Sequence, residues 1–325
     1  MFAHPELRAL RWNDTPQCDA QGALLQAVAD WRARPDIAAI HAELEEFAAG
    51  VPIAGCPAVA ALFAPGNAAA RRLAADFSAM TCAALAVWPL GHVPLRHYTD
   101  GTTSTILIAR AVNVTLSLVG INGEGLGLRP ESASASFGPT QTWEHILAGT
   151  AAVEQVECQP TGPREARLRR SAQEIGPGSV MYRDGMHDAR LLRRIDGALV
   201  SLRLQRRCEN SGETREYDLA TGALLHQAAS NPRDSRIELM LATLGRMGRT
   251  DAAPLMAEMA RGNGSTALRW QALRECLALD TRSGFAALTD LAARPEDALC
   301  GPASALRAQL LESYPQLQGA ELCPA

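Results

Sequence analysis

The hydrophobic periodicity of this chain changes twice, and the two changes bound what it can fold into. Up to about residue 87 the apolar residues recur every three or four positions. From Trp88-Pro89 to about residue 228 they alternate with polar ones, in β-branched runs broken by glycine turns. From Asn231-Pro232 onward the helical spacing returns. A period of 3.6 puts side chains on one helix face, and a period of two puts them on one sheet face. The order helices, strands, helices predicts an α+β chain with a helical segment over 1–88, a β-region over 89–230 and a helical domain over 231–325. At 325 residues the chain is long enough for roughly two domains.

Within the first segment, Leu24, Leu25, Val28 and Trp31 mark a helix over 19–34 that Pro35 stops, and Ile37, Ile40, Leu44 and Phe47 mark a second over 36–49. A short helix is predicted over 57–63 and, after the break at Pro65-Gly66-Asn67, a longer one over 68–87 with Asn67 as N-cap. These apolar stripes read as core faces. Strands are predicted over 92–98, 104–111, 115–121, 153–159, 165–171, 179–182, 189–195, 199–207 and 214–218. Asn122-Gly123 and Asp196-Gly197 read as hairpin turns. The polar stretch 125–142 reads as a long loop, and 142–148 as a short helix anchored by Trp143 and Ile146. Helices are predicted again over 236–245, 251–261, 266–279, 283–293 and 301–313.

Composition removes several function classes. The chain has no lysine, so all 31 basic residues are arginine. That excludes pyridoxal-phosphate Schiff bases, P-loop nucleotide sites and kinase chemistry that depends on a strand lysine. A net charge of −4 gives no reason to expect nucleic acid. Eight cysteines are scattered without a Cys-x-x-Cys pair, which argues against a zinc ribbon and for free thiols in a reducing compartment. No basic-then-apolar leader opens the sequence and no apolar run is long enough to span a bilayer, so the expected location is the cytoplasm, away from membranes.

The chemistry-bearing residues gather in two stretches. Residues 176–192 read as turn, strand, turn, strand: Pro177-Gly178 opens a strand, Asp184-Gly185 turns it, and His187 begins the next run. This resembles the second motif of the cupin family, in which a histidine after a glycine turn ligates a metal. Here only Met186 separates Asp184-Gly185 from His187. The stretch from Pro94 through His97 and Asp100 to Ile108 resembles the first cupin motif, with His97 as the first histidine and Thr99 where the second would stand. The resemblance implies a cupin-like double-stranded β-helix barrel over 89–230. It further implies a first-row divalent metal, Fe(II) foremost, held by His97, Asp100 and His187, with open positions for dioxygen and substrate. His-x-x-Asp is one residue longer than the His-x-Asp of the Fe(II)/2-oxoglutarate oxygenases on this barrel. Their carboxylate-binding arginine would be matched by Arg203 or Arg206. The alternative is a barrel without metal whose histidines are polar lining.

Tyr182 and Arg190, close to His187 in sequence, are the candidates for orienting substrate. Arginines 167, 169, 170, 190, 193, 194, 203, 206 and 207 sit on alternating strands. They read either as lining for an anionic ligand or as a solvated sheet face paired with acids. The expected function is a metal-dependent oxygenase of cupin type acting on a small anionic metabolite or a peptide. The rival is a non-catalytic cupin-like protein that senses a ligand or docks a partner. Residues 267–292 resemble a HEAT-type helix pair, a resemblance covering about the last ninety residues. Such helices need neighbours to bury their faces, which implies packing on the barrel, a homodimer or a protein partner.

Overall fold

The computed structural model describes residue 10 and residues 12–208, 213–229 and 232–317. They form two compact units. The first takes the described residues up to Cys208 together with Glu216–Leu224. The second takes the described part of Glu209–Arg215 and of Leu225–Ala325.

The first unit opens with helices α1 (Thr15–Ala33), α2 (Pro35–Ala48), α3 (Pro57–Leu62) and α4 (Ala69–Val87). Proline sits in the first turn of α1, α2 and α3, where its missing N–H costs nothing. The Asn67 side chain accepts from Ala69 N at 2.9 Å, just ahead of α4. The strands follow: β1 (His97–Thr99), β2 (Thr103–Arg110), β3 (Val114–Asn122), the short helix α5 (Gly123–Gly127), β4 (Ser134–Phe137), β5 (Thr140–Gly162), β6 (Glu165–Ile175), β7 (Val180–Asp184) and β8 (Asp188–Arg207). β9 (Glu213–Asp218) and β10 (Leu224–Ala229) carry the chain into the second unit.

Two expectations are corrected here. Residues 142–148 are part of β5, not a helix, and 189–207 form one strand, not two joined by a hairpin. The reason is shared. β5 and β8 pair antiparallel along nearly their whole lengths, from Thr140↔Arg207 to Glu157↔Asp188, so Asp196-Gly197 becomes a bend inside a ladder. The loop expected over 125–142 also holds the end of α5 and all of β4.

The main sheet runs β1-β2-β3-β8-β5-β6, with β7 also on β5. It is not flat. Register shifts fall between Ile146 and Ala148 and between Ala148 and Thr150, with Gly149 at φ +82° and Gly197 at φ +74° beside them. Bulges of this kind bend a strand. Arg190 pairs with Gln155 and Arg203 with Glu144, eleven residues apart on β5 (155 − 144). That is about 36 Å of straight strand, yet the Arg190 guanidinium touches the Glu144 carboxylate. The β5–β8 ribbon therefore folds back on itself with Glu144 and Arg190 on its inner face.

The outer face of the ribbon is covered by the N-terminal helices. Leu116, Leu202 and Leu204 share a core with Leu44, Phe47, Leu62 and Phe77. Trp143 meets Phe47 edge-on at 5.4 Å, and His145 Nδ1 bonds to Leu62 O at 2.8 Å. The helical segment and the sheet thus share one core.

The second unit is α6 (Pro232–Arg246), α7 (Ala253–Arg261), α8 (Thr266–Leu279), α9 (Thr281–Ala292) and α10 (Cys300–Ser313), packed around Met256, Leu273, Phe285 and Leu288. A HEAT-type repeat remains a resemblance of sequence alone. Arg269, buried on α8, donates Nε to Ala260 O at 3.0 Å and Nη1 to Asp297 at 3.1 Å. The Arg269 guanidinium and then Leu299 N hold the Asp297 carboxyl below the usual range. A depressed carboxylate contributes stability that is present above its unfolded pKa, about 3.9, and lost as pH falls through its lower folded value. Arg269→Met is expected to cost about 3 kcal/mol at neutral pH and to flatten the acid sensitivity of this unit. Urea melts of parent and variant between neutral and acid pH measure both effects, and equal acid slopes would remove the assignment. Among the described residues no helix is long and apolar enough to cross a membrane.

Candidate functional site: a buried arginine cluster

On β5 the residues alternate strictly. Trp143 and His145 face the helices, whereas Thr142, Glu144 and Ile146 face inward and are buried. Glu144 is the centre of the inner face, its side chain only 3% exposed. Its Oε1 accepts from Ser201 Oγ at 2.7 Å and from Arg203 Nη2 at 2.9 Å, and its Oε2 accepts from Arg190 Nη2. Ser201 and Arg203 stand on β8 directly beside this part of β5, whereas Arg190 arrives from the other arm of the folded ribbon. Arg190 Nη1 also reaches Met181 Sδ at 3.1 Å on β7.

Two guanidinium groups thus share one carboxylate. A third, Arg183, sits two residues beyond Met181 on the same face of β7 and has no hydrogen-bond or ion-pair partner among the described residues. Burial, and then the charge of Arg203, pushes the Arg190 guanidinium down to about 10. The same causes in the same order lower Arg183, opposed by Asp188, and burial lowers Arg203. The Nε of Arg203 is itself buried and finds no acceptor among the described residues. A buried donor without an acceptor costs about 1–3 kcal/mol. The cluster is not sealed, since the Arg203 side chain keeps 24% of its exposure.

Of the five metal-site and substrate-orienting candidates, Arg190 alone belongs to this cluster; Arg203, matched from the sequence to a carboxylate-binding arginine, belongs to it as well. Tyr182 is on the opposite face, half exposed, its ring 4.8 Å from Trp143. His97 is exposed on edge strand β1, its Nδ1 bonded to Leu95 O, on the rung of Ile106, Leu118 and Leu202 that faces the helices. Asp100 caps its own turn, accepting from the N–H groups of Thr102 and Thr103, and pairs with Arg129 at 3.0 Å. Thr103 N–H and then Arg129 hold its carboxyl at about 2. His187 is exposed in the β7–β8 turn, at the edge of an open groove of about 300 Å³ with Glu157, Arg167, Arg169 and Asp188. The structure does not bring His97, Asp100 and His187 to one point. No group of three His, Cys, Asp or Glu side chains among the described residues is placed to hold a metal ion. The residues present do not fit Fe(II) or another divalent metal as the two motifs imply. Asp100 is taken up by its own turn and by Arg129, and His97 by Leu95 O at a strand edge.

Glu144, Ser201 and Arg183 were not singled out by sequence. The available signal was a lone glutamate in the alternation Thr142-Trp143-Glu144-His145-Ile146, a stretch read as helix.

No protein-family model and no curated protein matches the sequence. Among solved structures the chain is similar to a 7S globulin of Momordica charantia, at 13% identity over 39% of this chain and 36% of that one, with a TM-score of 0.26. It is similar to a cupin superfamily protein of Desulfitobacterium hafniense, at 12% identity over 34% of this chain and 83% of that one, with a TM-score of 0.24. It is also similar to HutD of Pseudomonas fluorescens, at 18% identity over 35% of this chain and 57% of that one, with a TM-score of 0.25. The chain therefore spans about a third of the globulin and just over half of HutD. A cupin is among the structures it is similar to, and at these TM-scores the similarity sets neither a fold nor an activity.

Proposed function

We propose that the first unit is a cupin-like ligand-binding domain whose inner sheet face takes a small anion at Arg183, Arg190 and Arg203. The observation that carries this reading is the buried Arg203 Nε, left without an acceptor where Arg190 and Arg203 share the Glu144 carboxylate and a third guanidinium, Arg183, stands on the same face. Guanidinium forks match carboxylate and phosphate oxygens, and an anion placed there would satisfy that donor and relieve the mutual repulsion of the arginines. The oxygenase expected from the motifs has no ligand set to rest on among the described residues, so binding, not oxidation, is the function this geometry favours.

Thermal melts of the full chain against a panel of small carboxylates and phosphates test the reading. A ligand at a hundred times its Kd stabilises the folded state by about 2.7 kcal/mol, so at least one anion is expected to raise the melting temperature by several degrees. Arg203→Met should abolish that rise. A parent protein indifferent to every anion in the panel would sink the proposal.

A further inference from the structure

Resting on the anion site just proposed, we infer that its ligand is a monocarboxylate, a single negative charge on a planar head, in preference to a dicarboxylate or a phosphate. The argument is one of charge and placement. The inner face carries Arg183, Arg190 and Arg203 against Glu144 and Asp188, which shares the face through its pairing with Glu157 on the arm that carries Arg190. Three guanidinium groups and two carboxylates leave one positive charge. Other charged groups on this face lie at the rim: Arg169 pairs with Glu157, both exposed; Arg167, two residues away on β6, is exposed; and Arg110 and Arg207, on the rungs of Gln205 and Thr140, are exposed.

One anionic group neutralises the interior. A second would enter uncompensated, and burying an unpaired charge is strongly unfavourable. Apart from Glu144 and Asp188, the groups packed around the arginines are neutral. Ser201 lies beside Glu144, and Met181, Ile146, Val153 and Leu192 pack together past Arg190. An apolar body on the ligand therefore meets apolar side chains, and a second charge finds no further buried partner, the remaining arginines of the face being exposed at its rim.

Butyrate and succinate have the same carbon chain and differ by one carboxylate, so they isolate the charge. Isothermal titration of the full chain with butyrate, succinate and inorganic phosphate is expected to show one butyrate site, at least ten-fold tighter than either of the others. Arg183→Met, which breaks no ion pair among the described residues, should weaken butyrate at least ten-fold with an unchanged circular dichroism spectrum. Asp188→Asn adds one net positive charge and should shift the succinate-to-butyrate affinity ratio at least ten-fold towards succinate, a change that a merely structural role would not produce. Succinate or phosphate binding more tightly than butyrate would overturn the monocarboxylate assignment and leave the anion site standing. An unchanged affinity in Arg183→Met, or an unchanged ratio in Asp188→Asn, would overturn it as well. No binding of any of the three would overturn the site itself.

Discussion

Glu144→Gln is expected to destabilise the first unit by about 3–5 kcal/mol, the usual cost of removing one partner from a buried ion pair. Glutamine keeps the volume and one carbonyl oxygen, so Ser201 can still donate to it. What disappears is the negative charge between Arg190 and Arg203, side chains that are 9% and 24% exposed. Two guanidinium groups would then face each other with no carboxylate in between. For a unit of this size each kcal/mol moves the midpoint by about 2–4 °C, so thermal melts should show a loss of roughly 10 °C. A small anion bound against the two unpaired guanidinium groups should restore part of it. A loss under about 1 kcal/mol would mean that Glu144 does not organise the cluster.

Gly149→Ala is the second large effect, and it strikes the bend on which the site depends. A Cβ at Gly149 would lie 2.0 Å from Ala198 O and 2.9 Å from Ala198 C, both main-chain atoms, and the φ of +82° disfavours any L side chain. The left-handed backbone costs about 1–2 kcal/mol and the forced displacement about 1–3 more. Gly197, on the partner strand of the same bend, has φ +74° with open space around its Cβ position. Gly197→Ala should therefore show the backbone cost alone, and the difference between the two variants reads the clash. Equal losses in denaturant melts would show that the two strands do not approach as closely as the bend requires. Arg190 would be drawn away from Glu144 in Gly149→Ala, so anion binding should weaken with stability.

Which segments are helix and which are strand was largely legible in the sequence. Ile37, Ile40, Leu44 and Phe47 could line up only on a helix face, and all four are buried on α2. Proline marked the start at Pro57 and the break at Pro35, which in the structure also opens α2, and Asn67 marked the start of α4 to within one residue, its N-cap being Ala68, because such effects act within one turn of chain. The polar bias of the arginine-rich strands was visible too, although Arg190 was singled out for its nearness to His187 and not from that bias. Local chemistry was misread where a short segment serves two geometries equally well. Residues 142–148 carry Trp143 and Ile146 at a spacing that suits a helical turn, but pairing with β8 on one side and β7 on the other makes them strand.

Only the tertiary structure decided the site. Glu144 lies 46 residues from Arg190 and 59 from Arg203 in the chain, and no local rule links them. Their meeting depends on two register shifts and on glycines at 149 and 197 that fold a long ribbon over. The same folding set the fate of the histidines. His97 and His187 each follow a turn or break in the sequence and look equivalent there. In three dimensions one stands on an edge strand, on a rung facing the helical core, and the other in a turn at the lip of an open groove. A sequence states which side chains are available. Which of them share a face is fixed by the register of strands many residues apart, and register depends on the packing of the whole sheet.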